Sequence, residues 1–174
     1  IHQMLGTRIS DTLTLKINCL IKENGKYLIE IYQVKTQRYK KPISNELAKL
    51  IQRSIEYTQE KFKDTKYIFV DENAPDRPMQ YMAMKSKVMS MIQKKELRDD
   101  NGMLFGFGTH MFRHYYGVKL TEMHLDDWTI ARLLGHKRLG NVQHYRKMSN
   151  QRMADETREI RQMMSDIIYT ILDG

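Results

Sequence analysis

No disulfide can close within this chain of 174 residues, because it carries a single cysteine, Cys19. That usage fits a reducing compartment, and a cytoplasmic setting is expected. Prolines are few (three) and there is one tryptophan. No apolar run approaches the roughly 20 residues that cross a bilayer, so no membrane-spanning helix is expected. No secretory signal is evident either, although the chain begins at Ile1, so an upstream segment is expected to have been removed. Acids are also short: Asp and Glu number 21 against 29 Lys and Arg, a net charge of +8. A polyanion such as DNA or RNA is the partner this favours, through phosphate contacts and counterion release, though composition alone equally fits a solvated basic surface. With 41% apolar and 29% charged residues the chain reads as globular, and its length suits one domain with a real core.

The patterning points to a mainly helical α+β fold with a small three-stranded antiparallel sheet near the N-terminus. Residues 12–34 hold β-branched and aromatic residues, in Thr12-Leu13-Thr14-Leu15 and in Tyr27-Leu28-Ile29-Glu30-Ile31-Tyr32, and read as a meander of strands. Asn24-Gly25 is its hairpin signal. A third strand is expected over Arg38–Ile43, after a basic turn holding Lys35. Ser44 caps a helix carrying Leu47, Leu50, Ile51, Ile55 and Phe62 on one face. Ile68-Phe69-Val70 reads as extended, and Asp71 to Gln80, with Pro75 and Pro78, as a loop. Met82, Val88, Met89 and Ile92 suggest a second helix ending near Leu97, followed by a glycine-containing approach up to Gly108. Thr109 is expected to cap a helix bearing His110 and Arg113, and Asp126 the next, with Trp128, Leu133 and Leu134 in the core and Gly135 as its stop. A short helix should carry Tyr145, and Gln151–Leu172 has helical apolar spacing. That last helix fits either this domain's core or a neighbouring protomer.

The chemistry sits in a few ordered motifs. His110-x-x-Arg113 is followed by Leu134-Gly135-His136; Arg113 lies 23 residues before His136, and Tyr145 nine residues after it. Gly6-Thr7-Arg8-Ile9-Ser10-Asp11 supplies a second arginine. Planar guanidinium groups suit phosphate oxygens, imidazole titrates near neutrality, and tyrosine is an oxygen nucleophile able to hold a cleaved strand end. His110 and His114 lack a third ligand at metal-site spacing, so no metal and no cofactor is expected. Tyr115, Tyr116 and Tyr169 read as packing residues.

Taken in order, these motifs resemble the catalytic domain of the tyrosine recombinases, the phage and transposon integrase family. Gly6-Thr7-Arg8-Ile9-Ser10-Asp11 is similar to the family's first arginine motif, Thr109-His110-Met111-Phe112-Arg113-His114 to its His-x-x-Arg motif, and Leu133-Leu134-Gly135-His136 to its Leu-Gly-His box. Tyr145 falls where the nucleophile sits, and Lys35 resembles the family's hairpin lysine. The likeness covers essentially the whole chain. It implies a single catalytic domain over residues 1–174 from which the separate N-terminal DNA-clamping domain, and about two helical turns before Arg8, are missing.

The resemblance further implies site-specific cleavage and rejoining of DNA through a 3′-phosphotyrosyl link, mobilising a phage or transposon-like element without metal or ATP. Arg8 and Arg113 would clamp the non-bridging oxygens, His110 and His136 would bond the phosphate or move a proton, and Lys35 would protonate the leaving 5′-oxygen. Arg38, Lys40 and Lys41 are candidate DNA-backbone contacts on the hairpin. The implied partners are double-stranded DNA, a homo-tetramer on DNA in the full-length protein, and accessory DNA-bending proteins; the fragment itself is compatible with a monomer. A DNA-binding module that kept the fold without the chemistry is the alternative from another class, and type IB topoisomerase-like relaxation the alternative among enzymes.

Overall fold

The computed structural model describes residues 1–32, 38–123, 125–135 and 157–173. Asn24 and Gly25 both take positive φ (49° and 76°), the geometry of a type I′ turn, and they join β1 (Leu20–Glu23) to β2 (Lys26–Tyr32) with Glu23 opposite Lys26. β3 (Arg38–Ile43) pairs antiparallel to β2, completing the expected sheet in the order β1-β2-β3. Register places Ile29 opposite Lys41 and Ile31 opposite Tyr39. Tyr39, Lys41 and Ile43 therefore share the face that carries Ile29 and Ile31 into the core, while Lys40 faces the other way and pairs with Glu23 at 2.9 Å.

Ser44 caps α3 (Asn45–Lys61) by accepting the Leu47 N–H at 3.2 Å. Leu47, Ala48, Ile51 and Ile55 are buried against the sheet and Leu50 is half-buried, but Phe62 is extended and ends the helix. The C-terminal helix α7 (Arg158–Asp173) packs on α3 of its own chain, burying Ile160, Met164 and Ile168. Ser165 Oγ and Tyr169 Oη donate to the two Glu46 oxygens, at 2.7 and 3.1 Å.

Two expectations of extended and loop structure are corrected. Thr12-Leu13 is not strand but part of α2 (Ile9–Leu13). Its β-branched residues are held by hydroxyls that bond locally: Thr12 Oγ1 lies 2.7 Å from Thr7 Oγ1, and Thr14 Oγ1 donates to the Ser10 carbonyl at 2.8 Å. The stretch 71–80 is not only loop: β5 (Ala74–Pro78) pairs with β4 (Val70–Asp71). In a two-stranded ribbon both strands are edges, where proline's missing N–H is tolerated.

After α4 (Tyr81–Lys94), of which Ile92 alone is buried, the chain reaches α5 (Thr109–Glu122) and α6 (Asp127–Leu133). Asp126 caps α6 through Oδ1, accepting from the N–H of Trp128 and Thr129. Leu133 and Leu134 are buried as expected, whereas Trp128 is half-buried. Gly135 takes the left-handed conformation (φ 65°) that ends the helix. The four-residue helix α1 (His2–Leu5) precedes α2 and contacts α5. That contact sets up the site.

Candidate active site

Three segments converge beside the core: the turn Gly6-Thr7-Arg8 between α1 and α2, the first turns of α5, and the end of α6. Arg113 joins them. Its Nη1 donates to the Gly6 carbonyl at 2.7 Å and its Nη2 to the Leu134 carbonyl at 2.8 Å. Among the described residues these bonds use two of a guanidinium's five N–H donors, and such a planar group can offer others to an anion. Arg8, at the start of α2, is exposed and makes no side-chain hydrogen bond to another described residue. Burial first, and then the neighbouring Arg8 cation, hold Arg113 below the usual arginine range. Two cations close enough to disfavour one another form a site that an anion would relieve.

His110, three residues before Arg113 on α5, is exposed. Both residues act electrostatically on His2, whose imidazole is lowered chiefly by its own burial. His2 Nε2 donates to the Thr109 carbonyl at 3.3 Å, and its Nδ1 lies 2.8 Å from Thr12 Oγ1. The neutral tautomer with the proton on Nε2 satisfies both contacts, with the Thr12 hydroxyl donating to Nδ1. His2 thus ties α2 to the start of α5, next to His110.

Asp11, buried three residues after Arg8, ends the first arginine motif, where the sequence assigns it no role. Burial raises its carboxyl, opposed first by Arg8, then by the Ser10 hydroxyl and Arg113. Tyr39 on β3 is raised by burial and feels Asp11, Arg113 and Arg8 together. Among the described residues neither Asp11 Oδ2 nor Tyr39 Oη has a hydrogen-bond partner. The spacing from Arg8 to Asp11 was the available signal for the first. Tyr39 left none, because only tertiary folding brings β3 to the arginines.

Lys41 is a correction. It was expected as a DNA-backbone contact, but it is 2% exposed and faces the core. Its Nζ donates to the carbonyls of Leu5 (2.6 Å) and Leu133 (3.2 Å) and lies 3.1 Å from Tyr116 Oη. Burial, and next the Arg113 charge, push this lysine down to about 7 from its ordinary 10.5. Charged, it donates three bonds; neutral, it donates two and accepts the Tyr116 hydroxyl, whose proton burial retains.

A pH effect on stability follows. Between about 7 and 10.5 the unfolded lysine is protonated and the folded one is not, so stability rises with pH across that window; the cost is complete below about 7. Urea titrations at pH 7, 8 and 9 should show this slope in the wild type. Lys41→Met should have less of it, and equal slopes would contradict the assignment.

Of the other expected site residues, Arg38 is exposed with its guanidinium over the Tyr32 ring, 4.5 Å from the centroid, and Lys40 is the half-buried partner of Glu23. Lys35, His136 and Tyr145 lie outside the described residues.

This framework can be set beside known proteins. A model of the phage integrase family matches residues 1–152. The chain belongs to that family. This integrase-family chain is 28% identical over 139 residues to transposase B from transposon Tn554 of Staphylococcus aureus strain Mu50 / ATCC 700699, a match covering 79% of the chain and 22% of the transposase. Transposase B from transposon PsiTn554 of S. aureus matches with the same identity and coverage. The chain therefore spans about a fifth of the length of the curated relatives it matches.

Among solved structures it is similar to XerH site-specific recombinase bound to difH substrate, in a pre-cleavage complex (TM-score 0.60, 21% identity, 83% of this chain and 40% of that one). It is also similar to the XerA recombinase (TM-score 0.60, 16% identity, 92% and 54%). The Tn1549 transposon integrase in complex with circular intermediate DNA gives a TM-score of 0.55 at 17% identity, over 83% and 50%. The expected tyrosine recombinase catalytic fold, with its small three-stranded sheet, is the fold observed. Among the described residues no helix is long and apolar enough to cross a membrane.

Proposed function

We propose that this chain is the catalytic part of a longer site-specific DNA recombinase that mobilises a transposon- or phage-like element. The observation that carries the reading is the Arg113 fork, half-buried, braced by the Gly6 and Leu134 carbonyls, and set beside an Arg8 without a hydrogen-bond partner among the described residues. A purely structural arginine would not need a second uncommitted cation close by. A phosphodiester whose charge grows in the transition state would use both. Membership of the integrase family, and relatives that are transposases, support the same reading.

In this mechanism the Tyr145 hydroxyl oxygen attacks the scissile phosphorus and gives up its proton to a nearby base, with His110 or His136 as the candidate. The bond to the 5′-oxygen breaks, and that oxygen takes a proton from Lys35. The products are a 3′-phosphotyrosyl ester and a free 5′-hydroxyl. A 5′-hydroxyl from another strand then attacks the ester and releases Tyr145. One phosphoester is exchanged for another, so the chemistry balances without ATP or a metal ion. Arg8 and Arg113 hold the non-bridging oxygens throughout.

The partner is double-stranded DNA, with Arg38 and Lys40 along its backbone, a homo-tetramer of the full-length protein on two sites, and DNA-bending accessory proteins, in a cytoplasmic setting. The chain spans only part of its relatives' length, so this domain alone is expected to bind DNA weakly and with steep salt dependence. The test is a trapping assay on nicked DNA bearing the element's end sequence, run in EDTA with the full-length protein. Tyr145→Phe should bind that DNA like the wild type but form no covalent adduct. An adduct with the variant would overturn the choice of nucleophile. Binding without any adduct from the wild type would favour a DNA-binding module.

A further inference from the structure

A lysine ammonium is costly to bury, and Lys41, with no carboxylate partner among the described residues, occupies a strand position whose same-face neighbour is Ile43 and whose cross-strand partner is Ile29. An apolar residue would satisfy the pattern there. The three acceptors that Lys41 meets belong to three different segments. Leu5 O directly precedes Gly6-Thr7-Arg8, Leu133 O directly precedes Leu134-Gly135-His136, and Tyr116 lies one turn after Arg113 on α5. The same two segments are held a second time, one residue further on, because Arg113 donates to Gly6 O and Leu134 O. Lys41 and Arg113 thus bind consecutive carbonyls on both segments. The Tyr116 ring completes the joint: it lies 4.5 Å from Lys41 Nζ and fills the space over Gly6, where an added Cβ would stand 2.3 Å from Tyr116 Cδ1.

We propose that Lys41 is a positioning residue for strand transfer, fixing the Arg8 segment and the end of α6 at Leu133 to Gly135 in register with the Arg113 helix. The proposal rests on the recombinase reading. Buried as it is, Lys41 cannot reach DNA. It acts by setting where Arg8 and Arg113 meet the phosphate, and it lies in β3, which pairs with β2. The tie therefore also couples this strand pair to both arginine-bearing segments.

The test compares the full-length wild type, Lys41→Met and Tyr116→Phe at a temperature where circular dichroism shows all three folded. Methionine keeps the length of the stem and removes the donors; phenylalanine keeps the ring and removes one bond. Single-turnover cleavage of nicked DNA should be about 10–100-fold slower at saturating DNA in Lys41→Met, with the half-saturating DNA concentration changed by about twofold or less. A structural defect alone would not separate the two quantities.

Amide hydrogen exchange gives a readout that does not depend on activity. It should quicken in Lys41→Met at residues 6–13 and 130–135 and stay unchanged across the β1–β2 hairpin. A cleavage rate within about threefold of wild type, or unchanged exchange at both segments, overturns the proposal. If Lys41→Met does not fold, Tyr116→Phe decides: a slower saturating rate at unchanged half-saturation supports the tie, and a wild-type rate overturns it. A wild type that cleaves nothing defeats the recombinase reading, while the exchange comparison still decides whether Lys41 holds these segments.

Discussion

Replacing Arg113 by lysine is expected to slow strand cleavage by about 10²–10³-fold, the usual effect of removing a fixed donor from a charged transition state. Charge is preserved in this variant, so the loss isolates geometry. Arg113 reaches two carbonyls, at Gly6 and Leu134, through two different nitrogens, and a planar guanidinium does this while offering further N–H groups to an anion. A lysine ammonium would have to reach both carbonyls from one nitrogen on a differently shaped side chain, and each carbonyl left without its partner costs about 1–3 kcal/mol. The variant should therefore lose stability as well as rate. Single-turnover kinetics and urea unfolding of the same preparation check both, and a lysine variant that cleaves at the wild-type rate would show that the bidentate brace is not needed.

Gly6→Ala is expected to destabilise the domain by about 2–5 kcal/mol, combining the left-handed penalty with overpacking of a filled site. Gly6 has φ 60°, and a Cβ built on it would lie 2.3 Å from Cδ1 and 2.5 Å from Cγ of Tyr116. That ring is not free to yield, because it is buried and its hydroxyl bonds Lys41. Gly25→Ala is the control: it also has positive φ, but an added Cβ meets nothing within 4 Å, so it should cost only about 1–2 kcal/mol. Urea denaturation of both variants separates clash from backbone strain. Equal losses would mean that Tyr116 moves aside, and the tie between Lys41 and the Arg8 segment would then be looser than its distances indicate.

Local chemistry was legible in the sequence wherever the signal was itself local. Asn24-Gly25 encodes its turn through two left-handed residues, and Ser44 and Asp126 encode helix starts through side chains that accept backbone N–H groups. Thr12-Leu13 misled because β-branching favours strands, whereas here threonine hydroxyls bond neighbouring groups and hold a short helix. Pro75 and Pro78 concealed β5, since an edge strand accepts prolines that a central one would reject.

In the candidate site, motif order proposes Arg8, His110 and Arg113, which the fold places on the turn before α2 and on the first turns of α5, and the spacing from Arg8 reaches Asp11. Lys41 was misread because it was grouped with its charged neighbours. Its parity with Tyr39 and Ile43 along β3 would have turned it inward. Tyr39 and His2 were out of reach, because their partners come from segments that only tertiary folding brings together.

The nucleophile is the central claim, and peptide mapping of the covalent adduct tests it directly. The full-length protein would be trapped on nicked DNA in EDTA, digested with nuclease and trypsin, and analysed by mass spectrometry. Trypsin should release Leu139-Gly140-Asn141-Val142-Gln143-His144-Tyr145-Arg146, in which Tyr145 is the sole hydroxyl-bearing side chain. The prediction is that this peptide carries the 3′-phosphonucleotide on an acid-stable ester. Attachment to any other peptide, or cleavage without attachment, would contradict it.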